Sequence, residues 1–181
     1  MYDEMRLVYL SNLQRRTAGL PPLRWNLHLT DAARWYSWDS VENRPNPYCG
    51  HQDTLGRSSW ERAPTFGYRG LYGAENVLCG YATPEQALQL WMDSPAHRAN
   101  ILSTSAREMG AGYYQRASDG RGYITQDLGQ DPVYPPLVIK DEALHTPSPA
   151  ISLYIYDREV SDGFAGLGAA TSMMVSNDAA F

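Results

Sequence analysis

The stretch TPEQALQLWMDSPAHRANILSTSAREMGAG, residues 83–112, carries the transition on which the architecture turns. It opens with a helix start: Thr83 suits the cap, Pro84 fits the first helical position, and Gln86 completes a capping box. Ala87, Leu88, Trp91 and Met92 then fall on one face at helical spacing. Ser94-Pro95 repeats the start signal and predicts a short second helix with His97 in its first turn. The partial positive charge of a helix N-terminus predicts a depressed pKa and a neutral ring for that imidazole. After Glu108 the period changes to two. Residues 110–115 and 122–127 read as strands joined through Ser118-Asp119-Gly120. Gly110 and Gly112 predict an element packed close against the first strand, with a bulge as the alternative.

Working outward, residues 3–18 read as a helix with Leu7, Leu10, Leu13 and Gln14 inward, stopped by Gly19 and Pro21-Pro22. A further helix is expected from Thr30-Asp31, capped by Thr30, with Ala33, Tyr36 and Ser40 on its inner stripe. Residues 43–72 are rich in Pro, Gly, Asn and Arg and predict a long irregular connection that carries function or wraps the core. Helices followed by an antiparallel hairpin predict an α/β sandwich with helices covering a small sheet. Asp131-Pro132 and Pro135-Pro136 mark a break, giving a first domain over 1–131 and a β-strand extension over 132–181. In the extension Ile151–Tyr156 alternates and Ser172–Ser176 reads as another strand. Gly163, Gly166 and Gly168 read as a turn, because no lysine or helix follows them as in a phosphate loop. Met174-Val175-Ser176-Asn177-Asp178 looks like the incomplete opening of an immunoglobulin-like repeat.

Hydrophobic residues make up 43% of the 181 and charged residues 19%, the balance of an ordinary globular chain. The net charge of −5, with arginines scattered, offers no footprint for nucleic acid or an anionic membrane. No apolar run reaches bilayer length, so no transmembrane segment is expected. The acidic, amphipathic start Met1-Tyr2-Asp3-Glu4-Met5-Arg6 is not a signal peptide as written.

Cys49-Gly50-His51-Gln52-Asp53, Gly73-Ala74-Glu75-Asn76-Val77 and the His97 segment together supply two imidazoles and a carboxylate, a set suited to holding a metal or moving protons. Their order and wording resemble the CAP superfamily (SCP/PR-1-like) in its bacterial form, over about residues 1–131. Leu20-Pro21-Pro22-Leu23, Trp25-Asn26 and Gln126-Asp127-Leu128-Gly129 match its flanking framework. The resemblance implies an α-β-α sandwich with a cleft lined by two histidines and one or two glutamates. His51, His97 and Glu75 match those positions, with the Gly-Glu-Asn signature varied to Gly73-Ala74-Glu75-Asn76. Where eukaryotic members carry a second cleft glutamate this chain has Asp93 and Ser94, which makes Glu108 the candidate for the missing carboxylate. Asp53 is a candidate to orient His51, with a loop turn as the alternative.

The resemblance further implies an extracellular or cell-surface binding protein whose cleft holds a divalent ion, zinc in some members, and receives a peptide, glycan or lipid. Two other readings stand beside it. One is metal-dependent hydrolysis with Glu75 or Glu108 as base, although His-Glu-x-x-His and Gly-x-Ser-x-Gly are both missing. The other is a structural hydrogen-bonded hub. Convergence of His51 and Glu75 would bring Cys49 and Cys79 together; a disulfide there would add roughly 3 kcal/mol in an oxidising compartment.

Overall fold

The structure is a computed structural model, described here for residues 1–44, 48–130 and 137–156. The elements run α1 (Tyr2–Thr17), β1 (Arg24–Trp25), α2 (Leu27–Glu42), α3 (Ser59–Thr65), β2 (Leu71–Cys79), α4 (Pro84–Asp93), α5 (Pro95–Ile101), β3 (Glu108–Gln115), β4 (Gly122–Gln130), β5 (Leu137–Ile139), a one-turn helix at Lys140–Glu142, and β6 (Leu153–Ile155). The four-stranded sheet has the order β1-β3-β4-β2, with β5 and β6 as a separate hairpin. The sheet is mixed rather than wholly antiparallel, because the two-residue β1 runs parallel to β3. Helices cover both faces, giving the α-β-α sandwich expected.

Directly paired residues share a face, and successive residues along a strand alternate. One face carries Val77, Thr125 and Gly112, and beside them Glu75, Asp127 and Gly110. It lies against α2, where Ser37 Oγ meets Thr125 Oγ1 at 2.9 Å. A Cβ added at Gly110 or Gly112 would land on the α2 backbone near Leu29–Thr30 or Ala33–Arg34. The glycines therefore let a helix backbone lie almost on the strand. The other face carries Asn76, Gln126 and Ala111 and lies under α1, α4 and α5, with Leu7, Val8, Leu88, Trp91, Ile101 and Met109 in its core.

α4 begins as its sequence dictates, with Thr83 and Gln86 forming a capping box and Pro84 in the first turn. Two helix readings need correction. α2 starts earlier, capped by Asn26, whose side chain accepts from Leu29 N, while Thr30 lies inside the helix and accepts from Trp25 Nε1 at 2.7 Å. The buried face of α1 is Glu4, Leu7, Val8, Ser11, Asn12 and Arg15 rather than a leucine stripe. Asn12 and Arg15 face inward there because irregular backbone around them needs donors, as Asn12 Nδ2 shows in donating to Leu23 O at 2.9 Å. Arg15 Nε binds Pro21 O at 2.7 Å, and its Nη1 binds Ile101 O and Ser103 O, both at 2.8 Å. Burial without a carboxylate partner lowers its pKa to about 10.

The connection after α2 is not wholly irregular. It contains α3, begun by a Ser58/Glu61 capping box. The β5–β6 hairpin returns to the domain: Val138 is fully buried, Tyr156 OH donates to Pro22 O, and Trp25 N donates to Glu142 Oε1 at 3.2 Å. Between its strands Lys140, Asp141 and Glu142 all take positive φ, a strained run for side-chain-bearing residues. Asn12 Nδ2 donates to Asp141 O at 3.1 Å and Arg16 pairs with the Asp141 carboxylate at 2.7 Å, which anchor the run to α1. The alternation read at 151–156 does not divide buried from exposed residues, since Leu153, Tyr154 and Ile155 all face solvent. The strand read at 172–176, the glycine turn at 163–168 and the repeat-like 174–178 lie outside the described residues.

Candidate functional site

The site is built around β2, the edge strand of the sheet. Cys79 at its end is disulfide-bonded to Cys49, and Tyr36 and Tyr123 hydroxyls both donate to Gly50 O, at 2.6 and 3.0 Å. These links fix the backbone beside His51, whose side chain is 53% exposed. Its Nδ1 lies 2.9 Å from Oε1 of the buried Glu75. The other Glu75 oxygen is paired with Arg62, a fully buried guanidinium of α3 stacked on the Tyr36 ring at 3.8 Å from its centroid. Behind Glu75 in the same row lies Asp127, fully buried and accepting from Tyr72 OH at 2.6 Å.

Two buried carboxyl groups thus sit side by side on neighbouring strands, one ion-paired with Arg62 and the other bound by Tyr72, with Asp127 Oδ2 left without a partner. Burial raises the Glu75 pKa to about 7 against the pull of Arg62, and burial with the Glu75 charge raises Asp127 well above the carboxylate range. Burial followed by the Arg62 charge lowers the His51 pKa.

Asn76 points to the opposite face. Its Nδ2 donates to Gln126 Oε1 at 2.7 Å and to the backbone carbonyl of His97 at 3.2 Å, while its Oδ1 accepts from Asn100 Nδ2 at 2.8 Å. Gln126 Nε2 continues the chain to Ser11 Oγ at 3.1 Å. α5 is thereby fastened to the sheet beside β2, with His97 half-buried. The His97 pKa is lowered as the helix start predicts, but the leading cause is burial, followed by the nearby His51 ring.

His51, Glu75, Asn76 and His97 are therefore brought to one strand edge. Asp53 turns into its own loop, accepting from Leu55 N at 2.9 Å and from Arg57 N and Nε, both at 2.8 Å. Glu108 pairs with Arg24 at the far end of β3. It lies opposite Gly129 while Glu75 lies opposite Asp127, so strand spacing separates the two glutamates by roughly 12 Å. Among the described residues no three His, Cys, Asp or Glu side chains are already gathered to cage an ion. His28 and His145 are exposed, as read from sequence. The second carboxyl beside Glu75 is Asp127, and its partner cation is Arg62. Strand alternation from Thr125 would have put Asp127 on the inward face; nothing in the period around Arg62 marked it.

A cavity of about 290 Å³ opens between α5 and the start of β2, lined by Tyr72, Gly73, Ala99, Asn100 and Ser103 among others. Tyr113 packs against the core under α1, α4 and α5, Tyr123 packs with Tyr36, Val41 and Val77, and Tyr114 OH donates to Glu42 at 2.7 Å.

The profile of the CAP, or cysteine-rich secretory protein, family matches residues 8–128, most of the chain. The chain belongs to the CAP family. A Bacillus subtilis relative, the uncharacterized protein YkwD, is 33% identical over 115 residues, 64% of this CAP chain and 44% of its own length. This chain thus spans less than half of that relative. An extracellular SCP-domain protein of Bacillus anthracis superposes with a TM-score of 0.61 at 28% identity, over 71% of this chain and 40% of the other. An outer surface protein of Borrelia burgdorferi gives 0.60 at 19% identity, over 70% and 91%, which shows the shared CAP fold alone. Among the described residues no helix is long and apolar enough to cross a membrane.

Proposed function

We propose that this CAP domain is an extracellular or cell-surface recognition module whose working surface is the β2 edge between His51 and His97. In this reading the two imidazoles take up a divalent ion such as zinc, and the adjoining groove receives a peptide, glycan or lipid. The observation that carries it is the Glu75–His51 hydrogen bond, 2.9 Å from Oε1 to Nδ1, which engages one nitrogen of a half-exposed ring and leaves Nε2 outside that bond. A carboxylate behind a histidine is the arrangement that orients metal-binding imidazoles. Both rings have lowered pKa values and so are neutral, the ligating form, at physiological pH.

In this reading the two imidazoles are the ion's protein ligands, with Glu75 acting through His51. That is one fewer than the three protein ligands usual at an open zinc site, so water or a bound molecule would complete the coordination. A bound ion would supply Lewis acidity there; the chain's own residues orient the rings. An exported location is supported by the Cys49–Cys79 disulfide, which persists in oxidising compartments, and by the likeness to an extracellular Bacillus anthracis protein.

The structural-hub reading draws on a different observation: both Glu75 oxygens are engaged, and Asn76 is saturated by Gln126, Asn100 and His97 O. Zinc titrations of wild type and His97→Ala from pH 5 to 8 decide between them. Recognition through the ion predicts much weaker binding in the variant, and loss of binding in wild type as pH falls below about 6.5. Indistinguishable, pH-independent curves would leave the hub. A turnover screen with simple esters and peptides separates binding from hydrolysis.

A further inference from the structure

We infer that the groove between the β5–β6 hairpin and the α1–β1 connection is a second binding site, for a small apolar molecule ending in one carboxylate, with Lys140 as the cation that receives it. The groove lies by β1, at the opposite edge of the sheet from β2, and the inference stands whether or not an ion binds there.

Leu20, Pro21 and Pro22 line one side of a cavity of about 390 Å³, and Lys140, Ser152 and Tyr154 line the other. That volume is at the small end of the range for ligand pockets, roughly 300–1,000 Å³, and suits a small molecule. Val138 and Tyr154 are paired across the hairpin and so share the face turned to the domain. Val138 is fully buried there, whereas Tyr154 is 38% exposed, because the cavity lies against it. The Tyr154 ring packs edge-on with Tyr156 at 4.8 Å between centroids, and Tyr156 is itself fastened to Pro22 O. An aromatic ring held in place across a cavity from prolines offers flat apolar contact at little ordering cost.

The charges lining the groove do not cancel. Arg16 is neutralised by Asp141 at 2.7 Å, while the Lys140 ammonium has no partner among the described residues. The side-chain hydroxyls of Ser152 and Tyr154 make no hydrogen bond there either. One net positive charge with two hydroxyl donors matches a single carboxylate. A phosphate ester, with nearly two negative charges, would leave one unbalanced beside Asp141. The backbone places the cation. Lys140, Asp141 and Glu142 all take positive φ, and bonds from Asn12, Arg16 and Trp25 tie the run down. Strain of this kind persists where the surroundings over-determine it, and it collects at ligand clamps. Here it turns the chain beside the groove and sets Lys140 in its wall.

NMR titration of the full chain with 4-phenylbutyrate tests the site. The acid should give saturable shifts at Leu20, Val138 and Leu153. The neutral 4-phenylbutanamide should bind roughly tenfold more weakly, having lost the charge-assisted hydrogen bond. Lys140→Asn removes the cation yet suits a left-handed backbone, so it should weaken the acid by a similar factor and leave the amide unchanged. Lys140→Arg should keep most of the wild-type affinity. Equal affinity of wild type for acid and amide, or of wild type and Lys140→Asn for the acid, would overturn the inference. Shifts that never saturate, or phenyl phosphate binding more tightly than the acid, would overturn it equally. The zinc titrations read His51 and His97, so failure there leaves this result untouched.

Discussion

Glu75 and Asn76 are neighbours on the edge strand and face opposite sides of the sheet, and each secures one of the two histidine-bearing segments. Glu75 takes the His51 ring at 2.9 Å on the α2 side, and Asn76 takes the His97 carbonyl at 3.2 Å on the α5 side. Strand alternation makes this possible: two successive residues reach both layers of the sandwich from one point.

Stability should respond to pH through Glu75. A carboxyl with a raised folded pKa holds its proton more tightly in the native state than unfolded. Its contribution is therefore present below the usual 4.5 and is lost as pH rises through about 7. Glu75→Gln removes that dependence, so the variant should gain on wild type between pH 5 and pH 8, by up to about 3 kcal/mol. Urea unfolding at the two pH values measures the difference; a constant gap would mean that Glu75 titrates normally.

Reducing the Cys49–Cys79 bond opens a loop whose ends lie 30 residues apart. The chain-entropy relation gives a loss of roughly 3.5 kcal/mol, while Tyr36 and Tyr123 keep their grip on Gly50 in the folded state. Thermal melts with and without reductant should differ by several degrees, and equal midpoints would contradict this.

Gly112→Ala should be among the most damaging small changes. The added methyl has no space short of moving the α2 backbone, so a loss of about 3 kcal/mol or more is expected from chemical denaturation. Near-wild-type stability would show that α2 can slide.

Asn76→Ala leaves Gln126, Asn100 and the His97 carbonyl without their shared partner. It should cost about 2–3 kcal/mol and raise hydrogen exchange across residues 95–101 more than elsewhere. Exchange spread evenly over the chain would argue against a dedicated tie to α5.

A chain ending at residue 131 should still melt cooperatively, because the sandwich closes with β4. It should do so at a lower midpoint, since Val138, Glu142 and Tyr156 no longer cover α1 and β1. A molten product would place the hairpin within the folding unit.

Much of this was readable from residues. Thr83, Pro84 and Gln86 announce α4, and the period change at Glu108 announces the β3–β4 pair, because caps and alternation act locally. Gly110 and Gly112 signalled a close neighbour without saying which. The inward face of α1 was misread because Asn12 and Arg15 are buried by bonds to distant backbone, and Ser11 by one from the Gln126 side chain, that no periodicity encodes. α3 escaped notice because it is seven residues long and contains Pro64. At the site, the histidines and Glu75 came from resemblance to a family. Arg62 and Asp127 are set by how α3 and β4 meet in space, and Glu108 only looked suitable until its partner Arg24 was known.

The Cys49–Cys79 link has one more consequence, for resistance to proteolysis. His51 and Glu75 both lie between the two cysteines, in a closed ring that includes the exposed residues Leu55 and Trp60. A protease that cuts this ring severs the chain without releasing either piece. The nicked protein would run as one species on a non-reducing gel and as two after reduction, and the His51–Glu75 pairing would outlast the cut.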